Sequence, residues 1–511
     1  MSNRLVILNS NVITMQTENS RAQALAFEKK KIIRVGRNAD VQSLIDQGWP
    51  ALDLSGKTVL PGFIDTHEHM MLTGIMAAAV HLDDVKSLEE ILERLADKAG
   101  RSAKGSWIMG SYLNEQHITE KRMPTCTELD GVCPENPVFL LHATGHMCSF
   151  NSKGLEIIDV PLSLEGVDLA SGQPTGVIRD PAILTFVHPT MGKLTPEKQK
   201  VEYLQEAARM ALNKGITTLH ALDGGDLGPG DTRIIWANRD KFPVRIVCYN
   251  QSMDLSEVKE LGLPRVGGCI CADGAFEAHT AALFEPYVDD PDNYGALTYS
   301  QDTMDKFILE ANRAGLQIAV HCESDRSIEQ VLWAMEKALR DFPRDDHRHR
   351  IEHLELPTFN QIERMAKAGI MTGMQPAFIP AFIGQENMEL YESLLGKERL
   401  ARVHPYRTIL DHDIPICGGS DSPVTPYDPL AGIQAAINHP NEDQRIGLHK
   451  SLEMFTKTAA WSAFEEKDKG TIETGKLADL VVLNNDPFTV DSKKITDIRI
   501  EQVFIAGRSL L

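Results

Sequence analysis

This 511-residue sequence predicts an α/β fold in the form of a (β/α)8 TIM-type barrel, with a small β-sandwich built from both chain ends and a large insertion after the first barrel strand. Three observations carry that expectation. Eight short apolar runs, each meeting polar residues at its end, alternate with helical patterns: FIDTHEH (63–69), ITTLHAL (216–222), VRIVCYN (244–250), GGCICAD (267–273), LQIAVHC (316–322), RIEHLEL (350–356), IMTGMQP (370–376) and IPICGGSD (414–421). Alternation of that kind marks parallel strands joined by helices. The two ends share a texture of short β-prone runs, at 4–8, 23–27 and 31–35 and again at 478–484 and 498–508, which one shared sandwich would explain. Finally, about 145 residues separate the first and second runs, far more than a crossover connection needs.

In chain order, residues 1–58 and 472–511 are expected to form the sandwich, 59–74 and 196–471 the barrel, and 75–195 a lid subdomain. The insertion carries its own helix (SLEEILERLADKAG), a strand-like run (PVFLLHA) and a Gly/Pro-rich stretch (SGQPTGVIRDP), and Trp107, Tyr112, Phe150 and Phe186 are expected to line an apolar pocket there. Thr195 reads as an N-cap with Pro196 at the first helical position; Val201, Leu204, Ala208 and Ala211 then form one stripe, and Gly215 ends the helix.

Composition narrows the function classes. Lys+Arg 52 against Asp+Glu 72 leaves a net charge of −20, which repels phosphate backbones and anionic membrane surfaces. The expected partner is a small-molecule substrate, with neither nucleic acid nor membrane, and homo-oligomerisation is left open. Eight scattered cysteines form no disulfide framework and read as reduced thiols. The N-terminal stretch lacks the apolar core of a signal peptide, and no window approaches the ~18 apolar residues of a spanning helix, so a cytoplasmic location is expected.

The chemistry begins at His67-Glu68-His69. Residues i and i+2 of a strand share a face, so both imidazoles can converge on one cation while Glu68 points away. His321, His353 and Asp421 fall at the ends of the fifth, sixth and eighth runs. In a closed barrel the C-terminal strand ends ring one site, so four imidazoles and a carboxylate would face one another there. His220 ends the second run and faces the same mouth, as a substrate contact. His347 and His349, among the charges of RDDHRHR, are expected at the solvated surface.

These residues sit in segments that together resemble the amidohydrolase superfamily, in its YtcJ-like branch that includes N-substituted formamide deformylases: LPGFIDTHEH (60–69), GHMCSFNSKGL (145–155), QPTGVIRD (173–180), ADGAFEAHTAAL (272–283), HCESDRSIEQVL (321–332), RHRIEH (348–353), GGSDSPVTPYDPLAGI (418–433) and GTIETGKLADLVVL (470–483). The resemblance implies the barrel, the two-ended sandwich, and a divalent metal centre, with zinc the expected ion and one or two per chain, on His67, His69, His321, His353 and Asp421. It also matches His146 to a Gly-His whose imidazole would hang over the metal and polarise a carbonyl, the alternative being a structural loop histidine.

Three positions depart from that pattern. Cys269 stands where relatives carry a lysine that becomes a carboxylated bridge between two metals, and no lysine lies between Lys259 and Lys306. Either the Cys269 thiolate is a bridging or terminal ligand or the site is mononuclear; alternation places Cys269, Cys271 and Asp273 on one face. Thr144 replaces an aspartate and His279 an arginine, both expected to touch substrate. The activity so implied is hydrolysis of a C–N amide-type bond by hydroxide held on the metal, with Asp421 as general base and then acid. A deaminase of the same superfamily is the alternative, although its glutamate three residues after the fifth-strand histidine is Ser324 here; a non-catalytic scaffold would have lost ligands that this chain keeps.

Overall fold

The computed structural model describes residues 4–142, 147–179, 182–225, 228–384 and 387–511. The eight expected runs form one parallel sheet in chain order: β1 (Phe63–Glu68), β2 (Ile216–Asp223), β3 (Arg245–Asn250), β4 (Arg265–Cys271), β5 (Gln317–Cys322), β6 (Arg350–His353), β7 (Met371–Met374) and β8 (Ile416–Gly418). β1 and β2 are buried at every position, as strands covered on both faces must be. The circle closes just past β8. Glu68 bridges Ser422, the Asp421 amide donates to the His67 carbonyl at 2.7 Å, and the His69 amide donates to the Ser422 carbonyl at 2.9 Å.

Local chemistry sets the helices between the strands. Ser300 caps Gln301–Arg313 by accepting from the Thr303 amide, and Thr358 with Gln361 forms a capping box that opens Phe359–Ala368. Gly369 ends that second helix in the left-handed region, at φ 69°. The helix expected from Pro196 runs Glu197–Asn213, but Thr195 closes the preceding helix, His188–Leu194, its hydroxyl donating to the Met191 carbonyl at 3.0 Å.

Two further sheets come from the chain ends. One has four strands, Lys31–Gly36, Ala24–Glu28, Arg4–Leu8 and Ala51–Asp53; the other has six, in the order Arg508–Ser509, Ile500–Ile505, Leu480–Leu483, Thr58–Pro61, Asn11–Ile13 and Arg21–Ala22. Ile7, Leu25, Phe27, Val59, Leu480, Val482 and Phe504 share one apolar core, so residues from both ends bury each other.

The chain divides into two compact units, Met1–Met70 with Ala208–Gly225 and Ile235–Leu511, and Met71–Ala207 with Asp226–Ile234. The second contains a six-stranded sheet and a helix Leu88–Arg101 whose Leu88, Ile91 and Leu95 join its core. Phe150, expected as a pocket wall, is wholly buried, and Trp107 and Phe186 pack against the same cluster. Tyr112 lies against His81 instead, ring centroids 5.4 Å apart. Among the described residues no helix is long and apolar enough to cross a membrane.

Candidate metal centre

β1 presents His67 and His69 with ring centroids 5.7 Å apart. Each ring is oriented through Nδ1: His67 donates to Glu352 Oε2 and His69 to the Leu222 carbonyl, both at 2.8 Å. With Nδ1 so engaged, each ring turns Nε2 inward, where it offers a lone pair once its proton is displaced. They face Asp421 Oδ1 at 3.4 and 3.0 Å. Burial alone pushes the His67 pKa down, but Asp421 and Glu352 outweigh it and hold it up to about 9. Burial likewise works against the Asp421 carboxylate, yet His67 and His69 hold its pKa well below the usual range. The space between these atoms therefore attracts positive charge.

Behind His67 stands a wholly buried ion pair. Arg350 Nε lies 2.6 Å from Glu352 Oε1, and Arg350 Nη2 donates to Glu352 Oε2 at 2.8 Å. The guanidinium also donates to the Thr66 carbonyl (2.9 Å) and the Tyr249 hydroxyl (3.0 Å). Such a pair fixes the orientation of a ligand from beneath. It needs Gly373, because a Cβ there would lie 2.3 Å from Glu352 Oε2 and 2.6 Å from Arg350 Nη2.

His353 and Asp421 both occupy the left-handed region, at φ 66° and 57°. Non-glycine residues enter it at a cost, and functional sites are where that cost is tolerated. The His353 ring lies 4.8 Å from that of His67 and 4.3 Å from that of His321, centroid to centroid. Burial, then His321 and His67, push its pKa far below the ordinary histidine value, so it is a neutral lone-pair donor. Three sets of donor atoms lie within 4.8 Å of one another: His67, His353 and Asp421; His67, His69 and Cys269; and Cys269, Cys271 and His321.

This constellation fits a divalent metal by its own chemistry. Both nitrogens of His353 are buried without a hydrogen-bond partner among the described residues, and the nearest polar atoms to the inward nitrogens of His67 and His69 are those of Asp421. Buried polar atoms are rarely left so, and imidazole nitrogens gathered around a carboxylate are a donor set that suits a divalent cation. The structure thus brings His67, His69, Cys269, His321, His353 and Asp421 together. Cys271 joins them, although the sequence analysis singles out only Cys269.

Other expected site residues lie elsewhere. His220 is wholly buried between strands, its Nδ1 3.4 Å from Arg350 Nη1 and its ring 6.1 Å from that of Tyr249. His279 is partly exposed, in the left-handed region at φ 55°, and pairs with Asp289 Oδ1 at 3.0 Å. Thr144 and His146 lie outside the described residues. His347 and His349, expected at the solvated surface, are buried at 3% and 0% exposure, a correction explained by their partners. His347 donates to the Ala368 carbonyl and accepts from the His349 amide; His349 accepts from the Ile318 amide and bonds Asn312 Oδ1. Arg350 and Glu352, which hold His67 from behind, were not singled out in the sequence; an arginine and a glutamate two apart on a barrel strand were the available signal.

With this geometry in view, comparison with known proteins shows that residues 51–511 match the profile of the amidohydrolase family. The chain belongs to that family. It is 29% identical to the putative amidohydrolase YtcJ of Bacillus subtilis, over 97% of each chain. It is 27% identical to the N-substituted formamide deformylase of Arthrobacter pascens, over 98% of this chain and 97% of that one. Among solved structures, a metal-dependent hydrolase from Pyrococcus furiosus superposes with TM-score 0.82 at 25% identity, covering 95% of this chain and 100% of that one. This amidohydrolase thus shares with those relatives a fold and a frame for metal-dependent hydrolysis.

Proposed function

We propose that the protein hydrolyses a C–N bond of amide type in a small molecule. The observation that carries the reading is the convergence of His67, His353 and Asp421, with His69 and Cys269 grouped on the other side of His67, and the relationship to a formamide deformylase supports the bond class. When bound, a divalent metal, with zinc the ion best suited to imidazole-rich donors, supplies a Lewis acid that polarises a carbonyl and acidifies water.

The chain's own residues do the rest. Asp421, its amide bonded to the His67 carbonyl, holds Oδ1 3.4 and 3.0 Å from Nε2 of His67 and His69, where it would face a water drawn to the ion those rings hold. Its carboxylate accepts the water's proton and returns it to the departing nitrogen, which an amine needs because it leaves poorly as an anion. Glu352 and Arg350 hold His67 in one tautomer throughout. The deaminase alternative loses support at Ser324, which has no carboxylate and whose hydroxyl donates to Asp273 Oδ2 at 2.5 Å.

Purified, metal-loaded protein offered a panel of N-formyl and N-acyl amines, cyclic amides and esters tests the proposal. Release of amine from at least one amide, abolished by chelation and restored by metal, is the expected result. Turnover that survives complete metal removal, or ammonia released from an aminopurine with no amide cleaved, would replace it.

A further inference from the structure

We infer that Glu277, Glu323 and Glu355 form a subsite beside the metal centre for an organic cation, so that the molecule cleaved carries a guanidinium or primary ammonium group. This names a substrate class for the amide hydrolysis proposed above and rests on that reading.

Backbone pairing places two of the acids. Glu323 and Glu355 follow His321 and His353 by two residues. Past the ends of β5 and β6 the pairing continues, the Leu354 amide donating to the Cys322 carbonyl at 3.0 Å and the Leu356 amide to the Glu323 carbonyl at 2.9 Å. The two glutamates thus leave neighbouring strands just beyond the ligands. Glu277 comes from the loop after β4 and is exposed, whereas Glu323 and Glu355 are 8% and 2% exposed. On the helix Met388–Leu400, the Tyr391 hydroxyl donates to Glu277 Oε1 and lies within electrostatic reach of Glu323 and Glu355 as well.

What these carboxylates lack is a counter-charge. Glu323 accepts no hydrogen bond among the described residues, and the charges that bear on it are those of Glu355, Asp273, Glu277 and Cys271, so it faces other acids. Asp273 differs, because its oxygens accept from the amides of Ala282 and Glu323 and from the Ser324 hydroxyl. Glu355 has His404 Nε2 3.4 Å from its Oε2, but burial and then His439 push that ring's pKa down to about 3, leaving it neutral. Arg399, on the helix of Tyr391, donates to the carbonyls of Leu395, Glu285 and Pro286, and His279 pairs with Asp289. Buried carboxylates are ordinarily paired or bound to a cation. A bare metal ion does not suit this set: among the described residues the three do not gather oxygens within 4.8 Å of one another, as the donors of the metal centre do. A guanidinium or ammonium presents several N–H donors over a wider span, each able to form a charge-assisted hydrogen bond. The net charge of −20 draws such a substrate in from a distance.

Calorimetry on the metal-loaded protein tests this through binding alone. The probes are butylguanidinium, which has no lone pair to offer a metal, butylammonium, and butylurea, the neutral isostere of the first. At least one cation should bind ~10-fold or more tightly than butylurea, and the better of the two identifies the group. Glu323→Gln and Glu355→Gln keep the side-chain size and should each reduce that margin at least ~3-fold; Glu310→Gln, exposed on the helix Gln301–Arg313, should not change it. Butylurea binding as tightly as both cations to the wild-type protein, a comparison that needs no variant to fold, would overturn the inference. So would a margin that both glutamine variants retain. In turnover, N-formyl amides ending in the favoured cation should exceed their neutral isosteres in kcat/KM by at least ~10-fold. Neutral amides cleaved just as well would strike the cationic substrate and leave the proposed function standing; selective cation binding with no amide cleaved would strike the hydrolysis and leave the subsite.

Discussion

His349 and His353 lie four residues apart in RHRIEH and are both buried, at 0% and 2% exposure, but their surroundings have opposite characters. Every ring nitrogen of His349 has a partner, the Ile318 amide at 3.2 Å and Asn312 Oδ1 at 3.1 Å. His353 has none among the described residues, and its neighbours include two more imidazoles and a carboxylate. Burial therefore does not separate a structural histidine from a ligand; the census of partners does. Of the two, His353 stands at the strand end that opens on the site, in a backbone conformation that asparagine or glycine would adopt more easily.

The sharpest way to break this contrast is at Asp421, the carboxylate on the ligand side. Asp421→Asn should lower kcat by at least ~10²-fold with the fold retained, as loss of a proton-transfer group does; steady-state rates beside circular dichroism check it, and near-normal turnover would move the proton shuttle elsewhere. Next comes Glu352→Gln, which keeps the shape but weakens the hold on His67. Metal affinity should fall by ~10- to 100-fold, read by chelator competition.

The two histidines themselves should then part company. His353→Ala should reduce metal content with little loss of stability. His349→Ala should keep the metal but cost about 2–4 kcal/mol in denaturant unfolding, since it leaves a cavity and an unpartnered Ile318 amide. Equal effects on both measurements would erase the distinction. The smallest effect is on pH dependence. Burial, then His347 and Arg344, hold the His349 pKa well below its ordinary 6.5. A histidine kept neutral in the fold takes up a proton more readily when unfolded, so its contribution is intact above about pH 6.5 and declines below it, by at most ~1.4 kcal/mol per pH unit. Unfolding curves from pH 7 to 5 should show a shallower acid decline in His349→Gln than in wild type.

Much of the architecture was legible because barrel strands announce themselves: a short apolar run that stops at a polar residue is hard to place elsewhere, and FIDTHEH or LQIAVHC carry the ligand at the point where it stops. What the sequence hid follows from long-range pairing. Arg350 and Glu352 carry no meaning along their own strand until β1 and β3 supply Thr66, His67 and Tyr249 around them. RDDHRHR looks solvated because five of its seven residues are charged, yet the Arg348 side chain is turned back to Asp346 and Glu466 and the two histidines are buried. Alternation put Cys271 on one face with Cys269, but its nearness to His321 follows from the ladder shift between Gly267 and Cys271, which a period-two pattern does not show.

The sheet that joins both ends has a bearing on how the chain is made. Thr58–Pro61 runs almost directly into β1, and its partner along one edge is Leu480–Leu483, roughly 400 residues later in synthesis. Until the ribosome has delivered that partner, Val59 and Leu60 form an unpaired apolar edge immediately upstream of the strand that carries His67 and His69. One side of that strand therefore waits for its partner through most of translation, and an edge left open in this way is the kind that invites association, so a lower expression temperature should raise the soluble yield.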